Sequence, residues 1–293
     1  MRRSLLFLPG NTPNMLINGG TLRADAVILD LEDSVAPTEK DTARLLVRNA
    51  LQTLDFGCET VVRINFPESE FGEKDLAAIV PCAPDILMPP KSTTAEGIRR
   101  LDEKMTELEE KNGLPVGKIK LIPLIETALG VENAFSIATA SPRVVGIFLG
   151  GEDLSADLRC RRTKSGEEIL YARGRMVMAA RAAGVEVYDT PFTDAYDDEG
   201  LLADAKFAKS LGFSGKAVVA PRHVAAINEI FSPTKAEIAY AEEVLAAIAE
   251  GERLGKGAVS LRGKMIDPPI VERAKQTLEA AKAMGKRGGF CGE

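Results

Sequence analysis

Polar residues stand at or just after short apolar runs along this 293-residue sequence: Asp30, Glu32 and Asp33, then Arg63 and Asn65, Lys91, Glu126, Glu152 and Asp153, and Thr190. Most are acids. Carboxylates gathered in one cleft repel each other unless a proton or a cation separates them, and hard cations such as Mg2+ take oxygen ligands. Mg2+ keeps several waters and accepts one or two protein carboxylates, which leaves room for a chelating substrate. Glu126 and Asp153 are the expected metal ligands, with Mn2+ as the other ion such a pair accepts. Taken singly, Asp33 and Asp153 read equally well as helix N-caps, because Asp is a preferred cap and strand-to-helix junctions are where caps belong. Glu is a poor cap, which weakens that alternative for Glu126. Arg63 has an alternative as ion-pair partner of these acids. Asp267 precedes Pro268, an ordinary signature of a helix start, so spacing alone makes it structural.

These residues need a scaffold that brings them together. Apolar runs recur at Ser4–Leu8, Ala26–Leu31, Thr60–Ile64, Ile86–Met88, Lys120–Ile125, Val144–Leu149, Val185–Asp189 and Ala217–Val219. They are continuous and not alternating, as expected of parallel strands covered on both faces. Amphipathic patterns lie between them. After Pro37, for instance, Ala43, Leu46, Val47, Ala50, Leu51 and Leu54 follow helical spacing. Further helices are expected over Thr94–Lys111, Val131–Thr139, Gly166–Ala183, Asp197–Ser210 and Arg222–Ile230. Eight strands alternating with helices predict a (β/α)8 TIM barrel over residues 1–231, with an open doubly wound sheet as the competing arrangement. In a barrel the site lies at the carboxyl ends of the strands, where the polar residues above fall. Residues 232–293 read as a C-terminal helical extension with no further strand. Within it, Gly251–Gly263 is expected to be a mobile connection and Gly288–Glu293 a frayed tail.

Composition narrows the function classes. Apolar residues make up 45% and charged residues 27%, which suits a soluble globular enzyme with ample core. A net charge of −6 and a pI near 5.2 give no basic footprint, so nucleic acid is excluded as a partner. The apolar stretch after Met1-Arg2-Arg3 is too short for a signal peptide or a membrane span, and the expected location is cytoplasmic. Cys58, Cys82, Cys160 and Cys291 are scattered with no CxxC pair, and His223 is the single histidine, so a zinc site or disulfide framework is not expected. Each cysteine reads as a small buried apolar group. Gly212–Lys216 lacks P-loop spacing and reads as a turn. Arg159–Lys164, with Arg161 and Arg162, reads as a solvated charged loop rather than a phosphate site.

The segments RRSLLFLPGNTPNML, VILDLEDSV, TVVRIN, PLIETALGV, GIFLGGEDL, INEIFSPTKAEI and GKMIDPPIVERA resemble the citrate lyase and HpcH/HpaI aldolase family, on the side of its citrate lyase beta subunits. The match runs from Arg3 to about Ala283. The resemblance implies a Mg2+-dependent lyase that cleaves a citryl thioester, held on an acyl-carrier protein or coenzyme A, to oxaloacetate and an acetyl thioester by retro-Claisen chemistry. By the same resemblance Arg63 binds substrate and takes part in catalysis, Glu126 contacts both metal and substrate, and Asp153 is the second ligand. Asp267 matches an acid or base on a C-terminal lid that reaches into a neighbouring subunit's mouth, which displaces its cap assignment. A homo-oligomer, expected as a trimer, and other citrate lyase subunits are the implied partners. One departure is Ala220 before Pro221, where relatives often carry a polar side chain, so carrier contacts there are not implied. His223, where relatives tend to have glutamine, is given no catalytic role. A stand-alone lyase or thioesterase acting on malyl-CoA or citramalyl-CoA is the alternative. A non-catalytic scaffold subunit is a third, opposed by the joint presence of Arg63, Glu126, Asp153 and Asp267.

Overall fold

In the computed structural model, residues 2–194, 196–255 and 259–287 are described; the expected tail Gly288–Glu293, with Cys291, and part of the Gly251–Gly263 stretch lie outside them. The chain divides into two compact units, Arg2–Glu229 and Ile230–Glu293.

The first unit is an α/β fold built on nine strands: β1 (Ser4–Pro9), β2 (Ala26–Asp30), β3 (Glu59–Arg63), β4 (Ile86–Met88), β5 (Lys120–Leu121), β6 (Leu124–Ile125), β7 (Gly146–Leu149), β8 (Glu186–Asp189) and β9 (Gly215–Val218). They pair in parallel in the order β5-β4-β3-β2-β1-β9-β8-β7-β6. Every residue of β2 and of β7 is buried, the two-sided cover that continuous apolar runs predict. The expected run Lys120–Ile125 is split into β5 and β6 around Pro123, which has no N–H for a ladder. β5 pairs with β4 and β6 with β7, and Leu121 also bridges Val144.

The sheet curls. At ~4.8 Å per strand, a flat sheet of this size would be roughly 40 Å wide. Yet one apolar cluster joins Leu5, Ile28, Val61, Met88, Leu124, Phe148, Tyr188 and Ala217, drawn from both halves of the strand order. Inside it the Phe7 and Phe148 rings meet edge to face at 6.2 Å. No helix among the described residues is long and apolar enough to cross a membrane.

The second unit consists of helix Lys235–Arg253, an antiparallel hairpin of β10 (Val259–Leu261) and β11 (Lys264–Ile266), and helix Pro268–Arg287. The hairpin corrects the expectation of a strandless, mobile connection. Arg262 and Gly263 both take positive φ, 51° and 77°, the conformation that a two-residue hairpin turn requires. The flanking Val259, Leu261 and Ile266 join an apolar cluster with Ala241, Val244 and Ala274. Three-residue strands are too short for alternation to register in sequence. The helix after Pro233 starts on a capping box of Thr234 and Glu237.

The cysteines also depart from expectation. Cys160 is exposed, and Cys58 and Cys82 are only half-buried. Cys82 ends the short 3-10 turn Val80–Cys82 and Cys160 lies just beyond helix Gly151–Asp157, their thiols against the carbonyls of Ala78 and Ser155, positions that solvent reaches.

Where the end of β8 pairs with the first half of β9 lies a buried ion cluster that the spacing of apolar residues did not signal. Arg173 forks Asp189 at 3.0 and 2.9 Å and also reaches Asp204 at 2.7 Å. Lys216 lies 2.6 Å from both acids. Lys216 belongs to β9, not to the turn expected over Gly212–Lys216, and is fully buried. Two cations against two anions leave the cluster neutral, and removing one partner strands a buried charge. Arg173→Met is therefore expected to cost about 3–5 kcal/mol in urea unfolding.

Candidate active site

Residues at the carboxyl ends of the strands line a cavity of about 630 Å³. Arg63, Glu126 and Asp153 all face it, with Asp30, Asp33, Glu152 and Thr190. Asn65 does not, since its amide is spent on Leu31 O and Asp75. His223 is buried against Asp198, at 3.3 Å, and is not part of the lining. Ala220, where the polar side chain is missing, starts the turn Pro221–His223 after β9.

Asp30 ends β2 and Arg63 ends β3, in register across the two strands. Arg63 grips Asp30 with Nε at 2.7 Å and Nη2 at 2.6 Å, a two-pronged pair that fixes the plane of the guanidinium. Its Nη1 lies 3.1 Å from Glu32 and 3.5 Å from Asp33, and the group stacks over Phe7 at 5.0 Å. Burial works against ionised Asp30, but Arg63, Ser34 and the Glu32 amide hold its carboxyl below the usual carboxylate range. Arg63 is thus an ion-pair partner, as one reading of the sequence has it, and a wall of the cavity as well.

Glu126 follows β6 and is 3% exposed. Its Oε1 accepts from the amide of Lys91 at 2.7 Å. Lys91 adopts a positive φ of 50°, costly for a residue with a Cβ, and this turns its N–H toward Glu126. The Lys91 ammonium goes elsewhere, to Glu32 at 2.8 Å. Gly150 makes the remaining space: a Cβ there would lie 2.6 Å from both Cβ and Oε2 of Glu126. Burial pushes the Glu126 carboxyl up to about 8; Glu32 and Asp153 add to the rise, while the Lys91 amide and Arg63 oppose it. Glu32 is also raised by burial, although Arg63 and Lys91 hold it back.

Asp153 lies in the first turn of helix Gly151–Asp157. Gly150 holds the cap position there, so the N-cap reading of Asp153 fails; the Asp153 carboxylate makes no hydrogen bond or ion pair among the described residues. Asp33 caps no helix either, and its partner is Arg63. Asp30, Glu32, Asp33, Glu126 and Asp153 therefore share the cationic side chains of Arg63 and Lys91, which are committed to the first three. That leaves a buried carboxyl and an unpaired one with oxygen donors to spare, the donor set a hard divalent cation prefers. No group of three or more His, Cys, Asp or Glu that could hold a metal occurs among the described residues.

Asp267 belongs to the second unit. It is exposed, and its Oδ1 accepts from the amide of Ile270 at 3.1 Å as the cap of helix Pro268–Arg287. Arg162 corrects the solvated-loop expectation: it is half-buried, 2.5 Å from Glu168 and 3.6 Å from Glu152, whereas Arg159 and Arg161 are exposed. Sequence reasoning missed the work of the Lys91 backbone and of Gly150. The adjacent pair Gly150-Gly151 after an apolar run was the available signal.

The curled parallel sheet with an acid-rich mouth at its carboxyl ends defines an α/β enzyme of the kind that works at strand termini. The family model for HpcH/HpaI aldolase/citrate lyase matches residues 3–221, and the chain belongs to that family. It is 44% identical to citrate lyase subunit beta of Haemophilus influenzae over 97% of this chain and 98% of that protein. It is 35% identical to the mitochondrial citramalyl-CoA lyase of Rattus norvegicus over 98% of this chain and 88% of that protein. Among solved structures it is similar to CitE of Mycobacterium tuberculosis in complex with magnesium, acetoacetate and coenzyme A, with a TM-score of 0.79 and 31% identity, covering 96% of this chain and 98% of that one.

The raised Glu126 carboxyl has a consequence for stability. Its folded value, about 8, lies above the ordinary 4.5, so the folded chain binds the proton more tightly than the unfolded chain. The resulting stabilisation is complete below about pH 4.5 and is lost as the pH climbs toward 8. Glu126→Gln, which cannot ionise, is expected to raise the melting temperature of the metal-free protein by several degrees at pH 8 relative to the parent, with little difference at pH 5. Thermal melts at both pH values check this.

Proposed function

We propose that this chain is a lyase of the citrate lyase beta-subunit kind, which cleaves a citryl thioester to oxaloacetate and the acetyl thioester with Mg2+ held by Glu126 and Asp153. The observation that carries it is a buried carboxyl beside an unpaired one, both lacking a cation that the protein's own side chains supply elsewhere in the mouth. The resemblance of the whole chain to citrate lyase beta subunits, at higher identity than to a citramalyl-CoA lyase, favours the citryl substrate over the coenzyme A ester alternatives. CitE, bound to magnesium, a 3-oxo acid and coenzyme A, supports the metal and the thioester class.

Glu126 and Asp153 would hold Mg2+, which would supply Lewis-acid stabilisation of negative charge on the substrate's 3-oxygen. Arg63 faces the thioester oxygen, where enolate charge grows as the carbon–carbon bond breaks. Asp30 holds it there, and Nη1, whose 3.5 Å contact with exposed Asp33 is the longest of its ion pairs, is the edge that turns to substrate. Asp267 takes the proton that the 3-hydroxyl loses and returns it to the carbon of the acetyl enolate, on a lid formed by residues 232–293 and reaching the mouth of a neighbouring subunit in a homotrimer. The same reading takes residues 1–231 as a closed (β/α)8 barrel, supported by β5 and β6 being two pieces of one run and by the Leu121–Val144 bridge.

Purified protein with Mg2+ is expected to release oxaloacetate without free thiol from citryl-carrier, and to do so faster than it cleaves citramalyl-CoA or malyl-CoA. Chelator and Glu126→Gln should abolish the reaction. Arg63→Lys, which keeps the charge but loses the two-pronged geometry, should lower kcat about a hundredfold. Thiol release without keto acid would mean a thioesterase, and silence toward all three esters would leave a scaffold. For the lid, mixing inactive Glu126→Gln and Asp267→Asn proteins under subunit exchange is expected to restore turnover; no recovery would place Asp267 outside the neighbour's site.

A further inference from the structure

Helix Gly151–Asp157 carries Asp153 but opens without a side-chain cap, because Gly150 stands in the cap position. A helix start leaves backbone N–H groups without partners, and one of them, that of Gly151, donates to Thr190 Oγ1 at 2.9 Å. Thr190 follows β8 and is 1% exposed. Neither glycine can be replaced cheaply: a Cβ at Gly150 would meet Glu126, and a Cβ at Gly151 would lie 2.8 Å from Thr190 Oγ1. The space for a local cap is therefore taken by the site itself, and the cap arrives from another strand. Thr190 is held in turn, since its carbonyl accepts from Lys216 Nζ at 2.6 Å. Lys216 is locked by the ion cluster with Asp189, Asp204 and Arg173.

We infer that Thr190 and Lys216 are positioning residues for the metal site: the buried cluster fixes Thr190, Thr190 fixes the Gly150-Gly151 turn, and that turn sets Asp153 opposite Glu126. Both act through the turn: Lys216 is not part of the cavity lining, and Thr190, which is, has its hydroxyl engaged by the Gly151 amide. The inference rests on the proposal that Glu126 and Asp153 hold a divalent cation. It gives the Lys216 cluster a purpose beyond stability, which matters because a buried ion network is by itself weak evidence for stabilisation.

The test is Mn2+ binding to the full-length protein by electron paramagnetic resonance, without substrate. Thr190→Val keeps shape and volume but removes the acceptor for Gly151; it is expected to weaken Mn2+ binding about five- to tenfold while lowering the melting temperature by only a few degrees. Thr190→Ser, which keeps the hydroxyl, should restore parental affinity. The double variant K216M/D204N leaves one cation and one anion in the cluster, and should weaken Mn2+ binding in the same direction as Thr190→Val. Parental Mn2+ affinity in Thr190→Val, or equal losses in Thr190→Val and Thr190→Ser, would overturn the positioning role while leaving the metal reading intact. A parent protein that takes up no Mn2+ would overturn both.

Discussion

The site turns on a carboxyl group that the fold places where it cannot comfortably ionise. Glu126 is buried, faces Glu32 and Asp153, and receives a backbone N–H but no cationic side chain. Arg63 and Lys91 are near, yet each is engaged by other acids. A proton or an added cation must complete the arrangement, and the spare oxygen donors suit a hard divalent cation. The surrounding geometry is consistent with this: Lys91 accepts an unfavourable φ, and Gly150 forgoes a side chain, to hold Glu126 in that place.

Two charge networks of different character frame the site. Around Arg63 the acids outnumber the cations, so the mouth has unused capacity for positive charge. Around Lys216 the charges balance and solvent is excluded, so the cluster is fixed. The first suits binding and chemistry, and the second suits support. They meet at the turn between β7 and helix Gly151–Asp157, where Gly150 abuts Glu126 and Gly151 hydrogen-bonds Thr190.

Much of this was legible in the sequence because it follows from burial. Parallel strands covered on both faces must be apolar throughout, so β2 and β7 announced themselves, and the polar residues directly after them fell at the mouth. Arg63, Glu126 and Asp153 do converge on one cavity, and Asp153 and Asp33 are free of the cap role that each could have filled. What stayed hidden depends on conformation and long-range pairing instead of pattern. Nothing about Lys91 as a residue type reveals a left-handed backbone, and a lysine following glycine after Gly212 resembled turn chemistry, although Lys216 lies inside a strand with its ammonium buried. Arg173 and Asp204 lie on helices whose spacing marks where apolar residues face, without showing that charged ones face inward beside them. The hairpin at Val259–Ile266 escaped because its strands are three residues each and its glycine-containing turn looked like a loop. Asp267 stands in both roles at once, a cap within its own chain and the proposed proton carrier for another.

Glu126 and Asp153 are proposed as the two halves of a single divalent-cation site. Crystals of the full chain soaked in Mn2+ near pH 8, with anomalous scattering recorded at the manganese edge, address it directly. One strong peak is expected between the two carboxylates, at the roughly 2.0–2.2 Å ligand distance of a small hard cation, with the remaining positions filled by water. A Glu126 carboxyl without metal, still bound to the Lys91 amide while manganese settles elsewhere, would contradict it.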